Sequence, residues 1–249
     1  MERLLSREAE SFILAKATET AFAEIRKLDL PYHDIEHTGN VIRRSTAIID
    51  SIHGAAPQLL TQNDRNITIY ASAFHDVVQN YTIVGGKRKR SGQNEKLSAE
   101  KALSVSLKIG LFSEKDERKI HEAIVATVAI FNPMEKTVFQ PNIGCGSSLP
   151  ALAVAFADIN GAGFDGAQVF KKEGDLLFLE DNPGGTFNYR DWLGMQLDFA
   201  IGRKNLFQKE LAYLPIEARF SVGGLFAKFD ESIDAARHNL ETFSWEGHR

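Results

Sequence analysis

Ile67-Thr-Ile-Tyr-Ala-Ser-Ala-Phe-His-Asp-Val-Val78 sets both the fold and the chemistry of this chain. Ile67, Tyr70, Ala71, Phe74 and Val78 recur at three- and four-residue steps, so the spacing predicts a helix over about 63–80 with one buried stripe. His75 and Asp76 lie close to that stripe in its last turns. Two ionisable side chains sit where the helix should be burying itself, and burying them without partners is costly.

Working outward, the same periodicity predicts helices on both sides. Leu14, Ala17, Ala21, Ile25 and Leu28 give an amphipathic helix over about 3–28, which Pro31 ends. A helix over about 33–53 follows, with Val41, Ile42, Ile48, Ile49 and Ile52 inward and Gly54 and Pro57 at its end. His33 and His37 are four apart and would share one face of it. Gly85 to Asn94 is polar, holds Gly85-Gly86 and Lys87-Arg-Lys-Arg90, and reads as a mobile loop. Asn94 is the expected cap of a helix over about 95–108, closed by Gly110. Ser113-Glu-Lys-Asp116 resembles a capping box opening another helix, with Ile120, Ala123 and Ile124 inward. Residues 132–149 read as a loop, and 151–159 is apolar except for Asp158. The last third reads as further helices around Val169–Leu177, Trp192–Phe199 and one long segment from Phe220 through Phe229 to Leu240. No stretch shows clean strand alternation, so the fold class is all-α, with a helical core over 1–162 and a helical C-terminal extension over 163–249 packed on it.

Composition narrows the function. A formal charge of −4 gives no electrostatic reason to expect a nucleic-acid polymer as partner. The single cysteine, Cys145, excludes an internal disulfide framework and suits a reducing compartment. The charged N-terminus is unlike a secretory signal, and no uncharged apolar run reaches the length of a membrane span. A cytoplasmic protein is the expectation.

Taken singly, each ionisable group has an ordinary reading. Asp158 reads as leaving its helix near Gly161 to meet water, His75 as a satisfied core histidine, and Asp76 as part of a solvated face. Together they point elsewhere. One or both of His33 and His37, together with His75, Asp76 and Asp158, come from three segments, and each segment presents its ligands near an apolar face. Two imidazoles and two carboxylates suit Mn, Fe, Co, Ni or Zn better than Mg, which prefers an all-oxygen shell. Four protein ligands on a six-coordinate ion leave open positions, as catalytic metals require.

The ordered set Tyr32-His33-Asp-Ile-Glu-His37, Phe74-His75-Asp76, Asn94-Glu95-Lys-Leu-Ser98 and Ala157-Asp158 resembles the HD-domain metal-dependent phosphohydrolase superfamily, in its uncharacterised predicted-phosphohydrolase branch. The resemblance covers about 30–160 and implies an HD-domain helical bundle. It implies His37, His75, Asp76 and Asp158 as ligands of one divalent ion, with His33 as general acid and Glu95 orienting the attacking water. Members with a second ion add histidines after the His-Asp pair. Here the segment after Thr127 has none and His121 does not match, so a second ion is doubtful. The implied activity is hydrolysis of a phosphoester or phosphoanhydride of a small molecule, with a nucleotide as the leading expectation. Lys87 and Arg88 would meet its phosphates, against the plainer reading of a solvated basic loop. The alternative is a regulatory helical protein that keeps the metal and turns nothing over. A homodimer through the C-terminal helices is left open.

Overall fold

The computed structural model describes residues 7–243, so the first residues of the expected N-terminal helix lie outside it. The chain is all-α apart from two small hairpins. In order it forms α1 (Arg7–Arg26), α2 (Ile35–Ala55), α3 (Asp64–Phe74), β1 (Tyr81–Val84), β2 (Lys87–Arg90), α4 (Asn94–Ile109) and α5 (Glu114–Val125). It continues through β3 (Ile130–Asn132), β4 (Thr137–Phe139), α6 (Leu149–Ile159), α7 (Gly161–Phe164), α8 (Ala167–Asp181), α9 (Tyr189–Glu210), α10 (Ile216–Leu225) and α11 (Phe229–Thr242). Among the described residues, no helix is long and apolar enough to cross a membrane.

α6 is the central post. Every residue from Pro150 to Ala157 is buried, which explains why it has no polar face. Ala151, Val154 and Ala155 pack into a core made with α1, α3, α4 and α5. Leu152, Ala153, Phe156 and Ala157 pack into a second core made with α2 and α7 to α11. The C-terminal helices thus share a core with α2 and α6.

Several local expectations change. α2 begins at Ile35, because Asp34 caps it by accepting from the His37 amide. His33 precedes the helix, so its approach to His37 does not come from a shared helical face. α3 ends at Phe74, and His75 and Asp76 stand in the turn that follows it. Asn94 is the first residue of α4 rather than its cap, and its side chain instead accepts from the Asn80 amide. The capping box of Ser113 and Asp116 is present as expected. The long terminal helix is two helices, parted at 226–228 after Gly223-Gly224.

The supposed mobile loop is the antiparallel hairpin β1–β2. Gly85 and Gly86 both have positive φ, +59° and +79°, as a two-residue turn matching strand twist demands. Both strands are largely exposed, which removes the inside-outside alternation that would have announced them. The tip is tied to the loop after α8: the Gly184 amide donates to Gly86 O at 3.0 Å, and Thr186 Oγ1 donates to Gly85 O at 3.1 Å. A Cβ on Gly184 would lie 2.7 Å from the Gly86 Cα, so this backbone approach needs glycine. The 132–149 loop likewise contains β4, paired with β3.

Candidate metal centre

His37 projects from the first turns of α2, His75 and Asp76 from the turn after α3, and Asp158 from the last turns of α6. One donor atom from each lies within 4.8 Å of the other three. His37 Nε2 is 3.4 Å from His75 Nε2, 3.4 Å from Asp76 Oδ2 and 3.5 Å from Asp158 Oδ1. His75 Nε2 is 2.9 Å from Asp76 Oδ2 and 3.6 Å from Asp158 Oδ1. An ion with bonds of about 2.1 Å holds adjacent donors about 3.0–3.4 Å apart, and these spacings lie close to that range.

His75 Nδ1 sits 2.7 Å from Ser72 O, which can only accept, so Nδ1 carries a proton and the neutral ring would have its Nε2 lone pair free for an ion that displaces the second proton. His37 Nδ1 is buried with no hydrogen-bond partner, so its ring is aimed by packing, with Tyr32 4.4 Å away between ring centres. The four residues could hold a metal ion.

The electrostatics point the same way. Burial opposes charge on His75, but Asp76 and the hydrogen bonds to Asp158 and Asp76 outweigh it and hold the imidazolium well above the usual histidine range. Burial likewise opposes charge on His37, and hydrogen bonds to Asp158 and Asp76 raise it. Desolvation would push the Asp76 carboxyl up, but His75 and His33 hold it well below the usual range. Asp158 is lowered against its burial by His37 and His75. The field that draws protons to these imidazoles draws any cation.

Around the cluster lie residues that the sequence reading placed there and others it missed. His33 is buried, with Nε2 3.9 Å from Asp76 Oδ2. Glu180, from the last turn of α8, accepts from His33 Nδ1 at 2.5 Å through Oε1. Its Oε2 accepts from the amides of Tyr32 at 2.9 Å and His33 at 3.0 Å. Burial raises the Glu180 carboxyl, and the bonds from His33 and Tyr32 bring it below the usual range. The only hint of Glu180 in the sequence was a carboxylate directly after the apolar run Leu176–Leu179.

Glu95, in the first turn of α4, faces the same space. Burial and then Asp76 and Asp158 push its carboxyl up, with Arg90 opposing. Arg90, at the base of β2, reaches both carboxylates, 3.5 Å from Asp76 Oδ1 and 3.5 Å from Glu95 Oε1. Lys87 and Arg88, the expected phosphate contacts, are turned elsewhere: Lys87 lies over the Phe187 ring at 4.1 Å and Arg88 over Tyr81 at 4.1 Å. The hairpin brings a cation to the site, from the last position of the basic run.

Two buried arginines brace the end of α6. Arg44 donates to Ala157 O and pairs with Asp165 at 2.5 Å and Glu173 at 2.6 Å. Arg203 donates to Asn160 Oδ1 at 3.1 Å and pairs with Glu210 at 2.7 Å. Their partners Ala157 and Asn160 lie on either side of Asp158 in sequence, so the two arginines hold the backbone where it leaves the helix.

Asp76 and Asp158 of the cluster, with His33, Arg90 and Glu95, line a cavity of about 520 Å³ whose other walls come from α8, α9 and the β3–β4 hairpin. Comparison of the chain with protein-family models, curated proteins and solved structures gives no match.

Proposed function

We propose that this chain is a metal-dependent phosphohydrolase of the HD type, acting on a phosphoester or phosphoanhydride of a small molecule. One observation carries the reading: four possible donor atoms from three segments converge, two of their carboxylates lining a cavity, beside a histidine that a buried carboxylate holds in place. His37, His75, Asp76 and Asp158 would hold the ion, and their mixed donors favour Mn, Fe, Co, Ni or Zn over Mg. The bound ion would supply Lewis-acid polarisation of a phosphoryl oxygen and a water acidified toward neutrality.

The remaining work falls to the protein's own side chains. Glu180 accepts a hydrogen bond from His33 Nδ1–H, which turns Nε2 toward the reacting space. The step requires the imidazolium form: with Nδ1–H held by Glu180, His33 Nε2–H gives its proton to the leaving oxygen and the ring is left neutral. Glu95 accepts a hydrogen bond from the attacking water and sets its direction. Tyr32 packs edge-on against His33, with ring centres 4.8 Å apart, and limits its rotation.

The test is turnover of an aryl phosphate and a nucleotide panel with added Mn²⁺. The reading expects activity that is lost in Asp76→Ala. A metal-loaded protein that turns over nothing on the panel would instead support a regulatory protein that only binds.

A further inference from the structure

The cavity above the ligands is unlike its floor. Phe131, Phe170, Leu177, Trp192, Met195 and Phe199 line it, from the β3 strand, α8 and α9. Its carboxylates are Asp76, Glu95 and Asp158 on the floor and Glu173, Asp181 and Asp198 on the walls. Among the described residues, its only Lys or Arg side chains are Arg90 and Lys136. Lys136 pairs with Asp198 at 3.3 Å, and Glu173 is taken by Arg44. Arg90 stands 3.5 Å from its two carboxylates, beyond a good hydrogen bond, and so can turn to a new anion.

This distribution selects a substrate. One phosphoryl group finds a guanidinium next to the ligand cluster, and Arg binds phosphate in a fixed fork. A second or third phosphate would lie along walls that carry three acids and, among the described residues, one lysine, the exposed Lys136 beside Asp198. A sugar would place hydroxyls against phenylalanine and tryptophan, where their hydrogen bonds to water are lost without replacement. A flat apolar body would instead bury its surface against those rings, as ligands in largely apolar pockets do.

We infer that the substrate is a phosphomonoester with a single phosphoryl group, met by Arg90, on an uncharged, largely apolar ring body received by the chamber around Trp192 and Met195. This rests on the phosphohydrolase reading for the bond that is cleaved, but the binding it describes needs no turnover.

The experiment is calorimetric titration of the Mn²⁺-loaded protein with three uncleaved probes: methylphosphonate, 1-naphthylmethylphosphonate and adenosine 5′-(β,γ-imido)triphosphate. The naphthyl probe is expected to bind about 30-fold more tightly than methylphosphonate, from ring burial. It should also exceed the triphosphate by about tenfold or more, from the acidic walls. Trp192→Ala should cut the naphthyl advantage to about fivefold or less. Met195→Gln, at a half-exposed position, should cut it in the same direction and guards against a Trp192 variant that fails to fold. Arg90→Gln should weaken both phosphonates by about tenfold or more.

Equal affinity for the two phosphonates, a triphosphate that binds tightest, or no binding of any probe overturns the inference. Naphthyl preference without turnover of 1-naphthyl phosphate leaves it standing and removes the hydrolase reading. Turnover of phosphate esters without naphthyl preference does the reverse.

Discussion

Glu180→Gln isolates the contact between the C-terminal extension and the proposed acid. The carboxylate takes three buried donors: His33 Nδ1–H at 2.5 Å and the amides of His33 and Tyr32 at 3.0 and 2.9 Å. A glutamine of the same shape has one acceptor oxygen. If that oxygen keeps the two amides, its NH₂ faces His33 Nδ1, and the ring must adopt the other tautomer. One charge-assisted bond becomes a neutral one, at a cost of about 1–2 kcal/mol. For a domain of this size that lowers the melting temperature by roughly 2–8 °C. General acid catalysis contributes about 10²–10⁴-fold, so kcat should fall by about 10² or more. Metal content should not change, because Glu180 is not a ligand. The decisive assay is a double-mutant cycle on kcat with His33→Ala: if Glu180 acts through His33, the double variant is no slower than His33→Ala. Losses that multiply, or a Glu180→Gln protein as fast as the parent, would refute the role assigned to Glu180.

Other outcomes follow from particular contacts. Arg203→Met should destabilise by about 3–5 kcal/mol in denaturant melts, because it leaves Glu210 buried and unpaired, and adding Glu210→Leu should recover most of the loss. Asp116, despite the upward push of burial, is held below the usual carboxylate range by hydrogen bonds with Ser113 and Asn63. Its stabilisation is therefore present above the unfolded value of about 3.9 and is lost as pH falls through the folded one. The stability gap between the parent and Asp116→Asn should be full at pH 7 and close below about pH 4, read by thermal melts across pH. Lys87→Ala and Arg88→Ala should leave kcat/KM within about threefold, since both side chains stack on rings of their own surroundings.

The helices were legible because each buries one stripe against a neighbour, and α6 because it buries everything. The four candidate ligands were legible because a carboxylate or imidazole on an apolar face asks for a partner. What failed was local. The strands β1 and β2 have no buried face, so nothing in the sequence marks Gly85-Gly86 as a turn between strands. Val77 and Val78 prolong the apolar pattern of α3 past His75 and Asp76, whereas the helix stops at Phe74. Glu180 is hidden for another reason: its importance depends on a tertiary partner 147 residues away, and no local pattern encodes such a distance. Arg90 belongs to the basic run visible in the sequence, but which member of that run reaches the site depends on the hairpin.

The proposed chemistry depends most on the cation. The direct measurement is elemental analysis of the purified chain, followed by titration of metal-stripped protein with Mn²⁺, Co²⁺ and Zn²⁺. It predicts one divalent ion per chain, with binding reduced by at least about 10²-fold in Asp158→Ala and in His75→Ala. No bound ion with any of the three, or binding that neither substitution disturbs, would contradict it.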